Sequence, residues 1–329
     1  MSWFAFSLIA LLCWSGSDIF SKVGTRQNDK NSHWKVVFAV GLVMGIHFVI
    51  TLIGGAIIDD PESVPKFIAS LFYTDFTIKD FLIYFPIAAI YIAAMVMGYI
   101  GLRYIELSIS SPICNSSGSV ALIICALIWF GEITLGVGSI IGVILVTVGI
   151  VGLGFVENRE DEEVKLARQE KSNRKYAKSF LAFLLPIAYL IIDALGTVGD
   201  QFLSSLADAG KVEISDYASN SAFELTFFLL AVFAFIWVTF VKKDKLFTRD
   251  NKFMYFGGIC ETIGQVFYMA VMFDTSDGAE VGMVIISAYC ALSVLWSRIF
   301  LKEKLSWKHY VAIATTFVGI VLLGIFSEV

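Results

Sequence analysis

Charge is scarce in this 329-residue chain. Asp, Glu, Lys and Arg together make up 16% of it, against roughly 25% in soluble domains, which excludes an ordinary water-exposed surface. Histidine occurs three times, scattered as His33, His47 and His309. The five cysteines (Cys13, Cys114, Cys125, Cys260, Cys290) all sit in apolar runs, and none forms a CxxC pair. That leaves no disulfide framework and no metal–thiolate site. HExxH, GxSxG and P-loop patterns are absent, so the chain has no signature of a metalloprotease, serine hydrolase or ATPase, and neither a metal nor a cofactor is expected.

What is present is apolar sequence, 57% of the residues, gathered into runs of the ~20 residues that cross a ~30 Å hydrocarbon core. Inside lipid every backbone polar group must be satisfied within its own segment, so such runs predict helices. The alternation of a barrel strand is missing. Ten spans are expected, at about 3–22, 34–58, 81–102, 107–130, 135–155, 179–206, 220–241, 252–273, 279–300 and 307–326. The first run begins at Trp3 with no basic segment before it, and is expected to span rather than to be a cleaved signal. The acidic stretch 59–80 is expected to hold a short surface helix around Val64–Tyr73. The mixed-charge stretch 157–178 reads as a solvated linker with no nucleic-acid role, dividing the chain into 1–156 and 179–329.

With ten spans, only Lys66, Lys79 and Lys211 fall on one face, leaving 21 of the 24 Lys and Arg on the other. Positive residues stay cytoplasmic, so both termini are expected outside and the linker inside, in a plasma (bacterial inner) membrane.

The two halves repeat. At an offset of 171, Tyr84-Phe85 meets Tyr255-Phe256 and Glu132 meets Glu303; at 170, Val148-Gly149-Ile150-Val151 meets Val318-Gly319-Ile320-Val321 and Gly154 meets Gly324. At 175, Trp14-x3-Asp18 meets Tyr189-x3-Asp193, and Val23-Gly24 meets Val198-Gly199. Each unit has five spans, an odd number, so the second copy is expected to enter the membrane from the opposite face. Inverted repeats of this kind are the architecture of secondary transporters.

The stretch Gly101-Leu102-Arg103-Tyr104-Ile105-Glu106-Leu107-Ser108, an apolar helix, Gly131-Glu132-x-Thr134, and then Gly142 and Gly149 resembles the EamA-type drug/metabolite transporters. Lys302-Glu303, Ser306-Trp307, Gly319 and Gly324 repeat it more loosely, and Trp14-Ser15-Gly16 is similar to the family's first helix. The resemblance implies a ten-helix, all-α transporter of small metabolites or drugs with a central cavity. Pro112 lies nearer the start of span four than the family pattern places it.

Ionisable groups inside spans are expensive, by at least ~2.5–3.5 kcal/mol near the bilayer centre, and normally face a cavity with a job to do. Glu261 lies about nine residues into span eight, with Gln265 one turn further on the same face. Asp18, its repeat partner Asp193, and Glu224 are the other acids; Asp18 could instead pair with Lys22 one turn on. No Lys or Arg lies deep in any span, which argues against anionic substrates and for cationic, zwitterionic or neutral ones. A carboxylate would then serve as counter-ion or proton carrier.

Trp14, Tyr91, Tyr99, Tyr189, Tyr268 and Tyr289 could line such a cavity, each ring worth ~0.5–2 kcal/mol to a ligand cation. Trp14 and Tyr289 rank highest by their neighbours. Asn115, in the polar run Asn115-Ser116-Ser117-Gly118-Ser119, is a further candidate contact. Glu132 and Glu303 read as structural, each complementing the start of its following helix. The expected protein is not an enzyme but a secondary transporter working by alternating access, with protons as a chemically accessible driver. It would bind a small molecule, sit in lipid, and be a monomer or homodimer. An uncoupled facilitator of a neutral solute, or a receptor or membrane enzyme without transport, are the alternatives.

Overall fold

The computed structural model describes residues 2–25, 29–128, 136–159, 181–272, 282, 285–303 and 305–326. Glu132 and residues 160–178 of the linker lie outside them. Among the described residues the chain is all-helical, with no strand. The helices are α1 (Ser2–Gly24), α2 (Ser32–Gly55), α3 (Lys66–Phe72), α4 (Ile78–Gly101), α5 (Leu107–Cys114), α6 (Ser117–Ile128) and α7 (Val137–Arg159). Then follow α8 (Leu181–Asp208), α9 (Asp216–Ile236), α10 (Lys252–Met272), α11 (Tyr289–Trp296) and α12 (Trp307–Phe326). The surface helix expected near 64–73 is α3.

Among the described residues, six stretches are long and apolar enough to cross a membrane: Trp3–Gly24, Ser32–Gly55, Ile78–Gly101, Leu107–Cys125, Phe183–Asp208 and Asp216–Val241. Val137–Leu153, Ile285–Leu301 and Trp307–Leu323 are shorter apolar helices. The distribution of side chains is that of an integral membrane protein. Large apolar side chains point outward, among them Ile53, Leu82, Val151, Phe202 and Phe240. Hydroxyls and charges are tucked inside, among them Ser15, Ser17, Ser111, Ser293, His47 and Glu224. A soluble protein could not expose so much apolar surface.

Local chemistry sets the helix ends. Thr77 and Asp80 form a reciprocal capping box at the start of α4. Span four, expected as one helix, is broken between α5 and α6. Pro112 removes the ladder amide that would meet the Ser108 carbonyl, and the polar run beyond it offers side-chain donors to the ladder carbonyls that follow. Asn115 Nδ2 donates to the Ser111 carbonyl at 3.1 Å and Ser116 Oγ to that of Pro112 at 2.7 Å. Span nine breaks likewise at Ala288, just before α11.

Glu303 corrects a second expectation. Its carboxylate accepts from the Leu107 and Ser108 amides, both at 3.0 Å, and from Ser108 Oγ at 2.6 Å. It therefore caps α5, in the other half of the chain, rather than the helix that follows it. A left-handed Lys302 (φ 55°) makes the tight turn that places it there.

The helices pack across the halves: α1 on α10, α4 on α8, α2 on α9, and α7 on α12. At one end Lys35 Nζ bridges Asp29 and Asp244, both at 2.7 Å, tying the α1–α2 connection to the segment after α9. Partial burial pushes the Asp244 carboxyl up. Hydrogen bonds from Lys35, Asn31 and the Lys245 amide, with the Lys35 charge, outweigh it and hold Asp244 below the usual carboxylate range. A group held low when folded stabilises above its ordinary value of ~3.9, and that stability is lost as pH falls through the folded value. The wild type should therefore melt at progressively lower temperature below pH ~4. Asp244→Asn should lose about 1 kcal/mol at neutral pH and show a shallower acid slope. Melting curves across pH measure both.

Candidate functional site

A cavity of about 80 Å³ opens between α1, α4, α5, α8, α10 and α11. Asp18 and Glu261 are its acids, and Tyr99, Tyr189 and Tyr289 its rings. Ser17, Ser21, Ser110, Ser111 and Asn115 supply further polar atoms. Among the described residues no Lys, Arg or His lines it.

Each acid is held by hydroxyls. Asp18 Oδ2 accepts from Ser111 of α5 and Ser293 of α11, both at 2.7 Å, and Ser17 donates to Glu261. The two carboxylates are close enough to interact. The expected Asp18–Lys22 pairing gives way to a different one. Lys22 Nζ donates to the Leu102 carbonyl at 2.6 Å and to that of Ile105, two groups freed where α4 ends. Asp18 is thus left to the hydroxyls and the cavity. The Tyr99 hydroxyl is buried without a hydrogen-bond partner among the described residues and lies within electrostatic reach of both acids, where it could donate to a ligand.

Of the nine residues singled out in the sequence, Asp18, Glu261, Asn115, Tyr189 and Tyr289 come together in this cavity. The other four do not line it. Trp14 packs at a tilt behind it, 5.2 Å from Tyr268 and 5.6 Å from Tyr289 between ring centres. Asp193 accepts from Ser117 of α6 at 2.6 Å. Gln265 donates to Asn220 at 3.1 Å. Glu224 meets His47, with Nδ1 and Oε1 2.7 Å apart.

The sequence pointed to Glu224 but not to its partner His47. It did not point to Asp200, which is clamped by the Tyr84 and Tyr91 hydroxyls at 2.9 and 2.6 Å. Asp200 lies two turns beyond Asp193 on one face of α8, and that spacing was the available signal.

Fold and cavity define a helical integral membrane protein with a polar, acidic chamber among its spans. Residues 209–325 match the model of the EamA-like transporter family, part of the drug/metabolite transporter superfamily. No curated protein matches the chain. A solved structure described only as "Crystal structure of protein" resembles it with a TM-score of 0.53 and 13% sequence identity. That likeness covers 98% of this chain and 96% of the other, and it speaks to the fold alone.

Proposed function

We propose that the protein is a secondary active transporter that moves a small cationic or zwitterionic metabolite or drug by alternating access, with Glu261 and Asp18 as counter-ions and proton coupling at Glu261. The observation that carries this reading is the cavity's charge: two carboxylates and three tyrosines, with no basic side chain among the described residues that line it. Each ring facing a bound cation adds ~0.5–2 kcal/mol.

The ten-span inverted repeat is the architecture we assign to it, and the packing supports that assignment. A Cβ on Gly149 would meet Thr316 and Ala312, and one on Gly319 would meet Val146 and Gly142. An offset of 170 turns the first pair of neighbours into the second. Trp14 lies on Gly264 of α10, as its counterpart Tyr189 lies on Gly98 of α4. The helix breaks at Asn115–Ser116 and Ala288 also correspond, within two residues, at an offset of 171. Two halves related in this way can exchange conformations, opening the chamber first to one face and then to the other. The Lys and Arg asymmetry supports a topology with both termini outside, in a plasma membrane.

Purified protein screened by thermal shift against amines, amino acids and cationic drugs tests the reading. A ligand at a hundred times its Kd stabilises by ~2.7 kcal/mol, a rise of several degrees that Glu261→Gln should erase. The same ligand should accumulate in proteoliposomes under an imposed proton gradient, and not with Glu261→Gln. Stabilisation and gradient dependence that both survive the substitution would sink the proposal. Uptake indifferent to the gradient would make the protein an uncoupled facilitator.

A further inference from the structure

The transporter reading uses Asp18 and Glu261 and leaves a second buried titratable site unexplained. His47 of α2 and Glu224 of α9 meet away from the cavity at 2.7 Å, with side chains 6% and 1% exposed. His47 Nε2 faces the Leu71 carbonyl of α3 at 3.1 Å. A carbonyl only accepts, so Nε2 carries a hydrogen. A second proton must then lie between Nδ1 and Oε1, shared by ring and carboxylate. The pair is neutral as a unit, which is how two ionisable groups tolerate a low-dielectric interior. Glu224 Oε2 is buried with no hydrogen-bond partner among the described residues, an acceptor open to a third proton.

One strand of polar contacts leads from this pair toward the cavity. Asn220 Nδ2 donates to Glu224 Oε1 at 3.3 Å, and Gln265 Nε2 donates to Asn220 Oδ1 at 3.1 Å. Gln265 is one turn along α10 from Glu261. Among the described groups, those acting on the pair are each other, Asn220 of α9 and the Leu71 carbonyl of α3. No lysine, arginine or other carboxylate of α3, α4 or α10 registers on either member.

We propose that His47–Glu224 is a second proton-binding site, outside the cavity, whose occupancy is linked to Glu261 through Asn220, Gln265 and one turn of α10. This rests on the transporter reading for its purpose, though not for its chemistry. A proton added at Glu224 Oε2 neutralises the carboxylate and leaves His47 an imidazolium that keeps its Nε2–H on the Leu71 carbonyl, so the site gains one proton and one positive charge. Asn220 and Gln265 carry no proton themselves. Their donors point toward Glu224, and they act as positioning residues.

The test is ¹⁵N NMR of histidine-labelled protein in detergent, titrated with acid and base and with no cargo present. The chain has three histidines, and His33→Gln and His309→Gln assign the remaining signal to His47. The expected wild-type spectrum passes from a doubly protonated ring to a neutral ring within the range where the protein stays folded. Glu261→Gln should shift the midpoint of that change, and adding Gln265→Leu to it should cause no further shift. Glu224→Gln should leave His47 neutral throughout.

A His47 pattern that never changes with pH, or whose midpoint ignores Glu261→Gln, would overturn the proposal and leave a purely structural clamp. Far-UV circular dichroism and melting confirm that each variant is folded, and His47→Gln, which keeps a polar side chain, serves where Glu224→Gln does not fold. Because no cargo is involved, a null result here leaves the cavity assignment standing, and a failed ligand screen leaves this one standing.

Discussion

Gly149→Leu is expected to destabilise the protein by at least ~3 kcal/mol, beyond the usual range for overpacking a core. The reason is that, behind the Thr316 hydroxyl that a Cβ would meet first, its neighbours are backbone. A Cβ at Gly149 would lie 2.7 Å from the Thr316 amide nitrogen and 2.9 Å from the Ala312 carbonyl oxygen. Gly319 is in the reciprocal position, 2.7 Å from the Val146 nitrogen and 2.8 Å from the Gly142 oxygen. A flexible side chain could move aside; a helix backbone can give way only if the whole helix moves.

In lipid there is no hydrophobic force to press α7 and α12 together, so their association rests on van der Waals contact at this close approach. Leucine would hold the helices apart and forfeit that contact along the seam. Gly118, which has nothing within 4 Å of its would-be Cβ, is the control. Gly118→Ala should melt where the wild type melts or slightly above it, by the ~1 kcal/mol that separates glycine from alanine in a helix. Melting temperatures in detergent, with monodispersity by size exclusion, distinguish the two. Equal melting of Gly149→Leu and wild type would mean that the seam does not hold the fold.

Those glycines show what was legible in the sequence. The match of Val148-Gly149-Ile150-Val151 to Val318-Gly319-Ile320-Val321 was visible as a repeat. That the two segments face each other was not, because periodicity describes one helix and says nothing of its partner. Asp18 and Glu261 stood out as charges in apolar runs, where desolvation makes any acid conspicuous. Their hydroxyl partners did not, since Ser111 and Ser293 look like ordinary small packing residues.

Lys22 was one turn from Asp18 and looked like its natural partner, but the carbonyls of Leu102 and Ile105 hold its ammonium. Glu303 was read as serving the next helix, and it caps one whose first residues lie nearly 200 positions earlier. His47 was set aside as a scattered histidine because its acid is 177 residues away. In each case local spacing set the expectation and the cross-bundle neighbour decided the outcome.

Breaking that histidine–acid pair is the other large effect. His47→Leu alone or Glu224→Leu alone should destabilise by about 3 kcal/mol, because each leaves a buried ionisable group without its counterpart. The lower end of the usual range applies, since helices unfolded within a membrane still find polar partners. The double variant His47→Leu/Glu224→Leu should recover most of the loss, because two apolar side chains need no charge balance. The difference between the double and the summed singles, read from melting curves, is the coupling energy of the pair.

A double variant as unstable as the sum would show two independent packing sites rather than one ionic unit. The recovered double variant is also the more informative protein. It keeps Asp18, Glu261 and the three tyrosines of the cavity, so a ligand that stabilises the wild type should stabilise it equally. It has lost the only group beneath α3 that holds a shared proton among the described residues. If its ligand binding survives while its response to a proton gradient weakens, then the residues that recognise the substrate and those that link it to protons are separable parts of this fold.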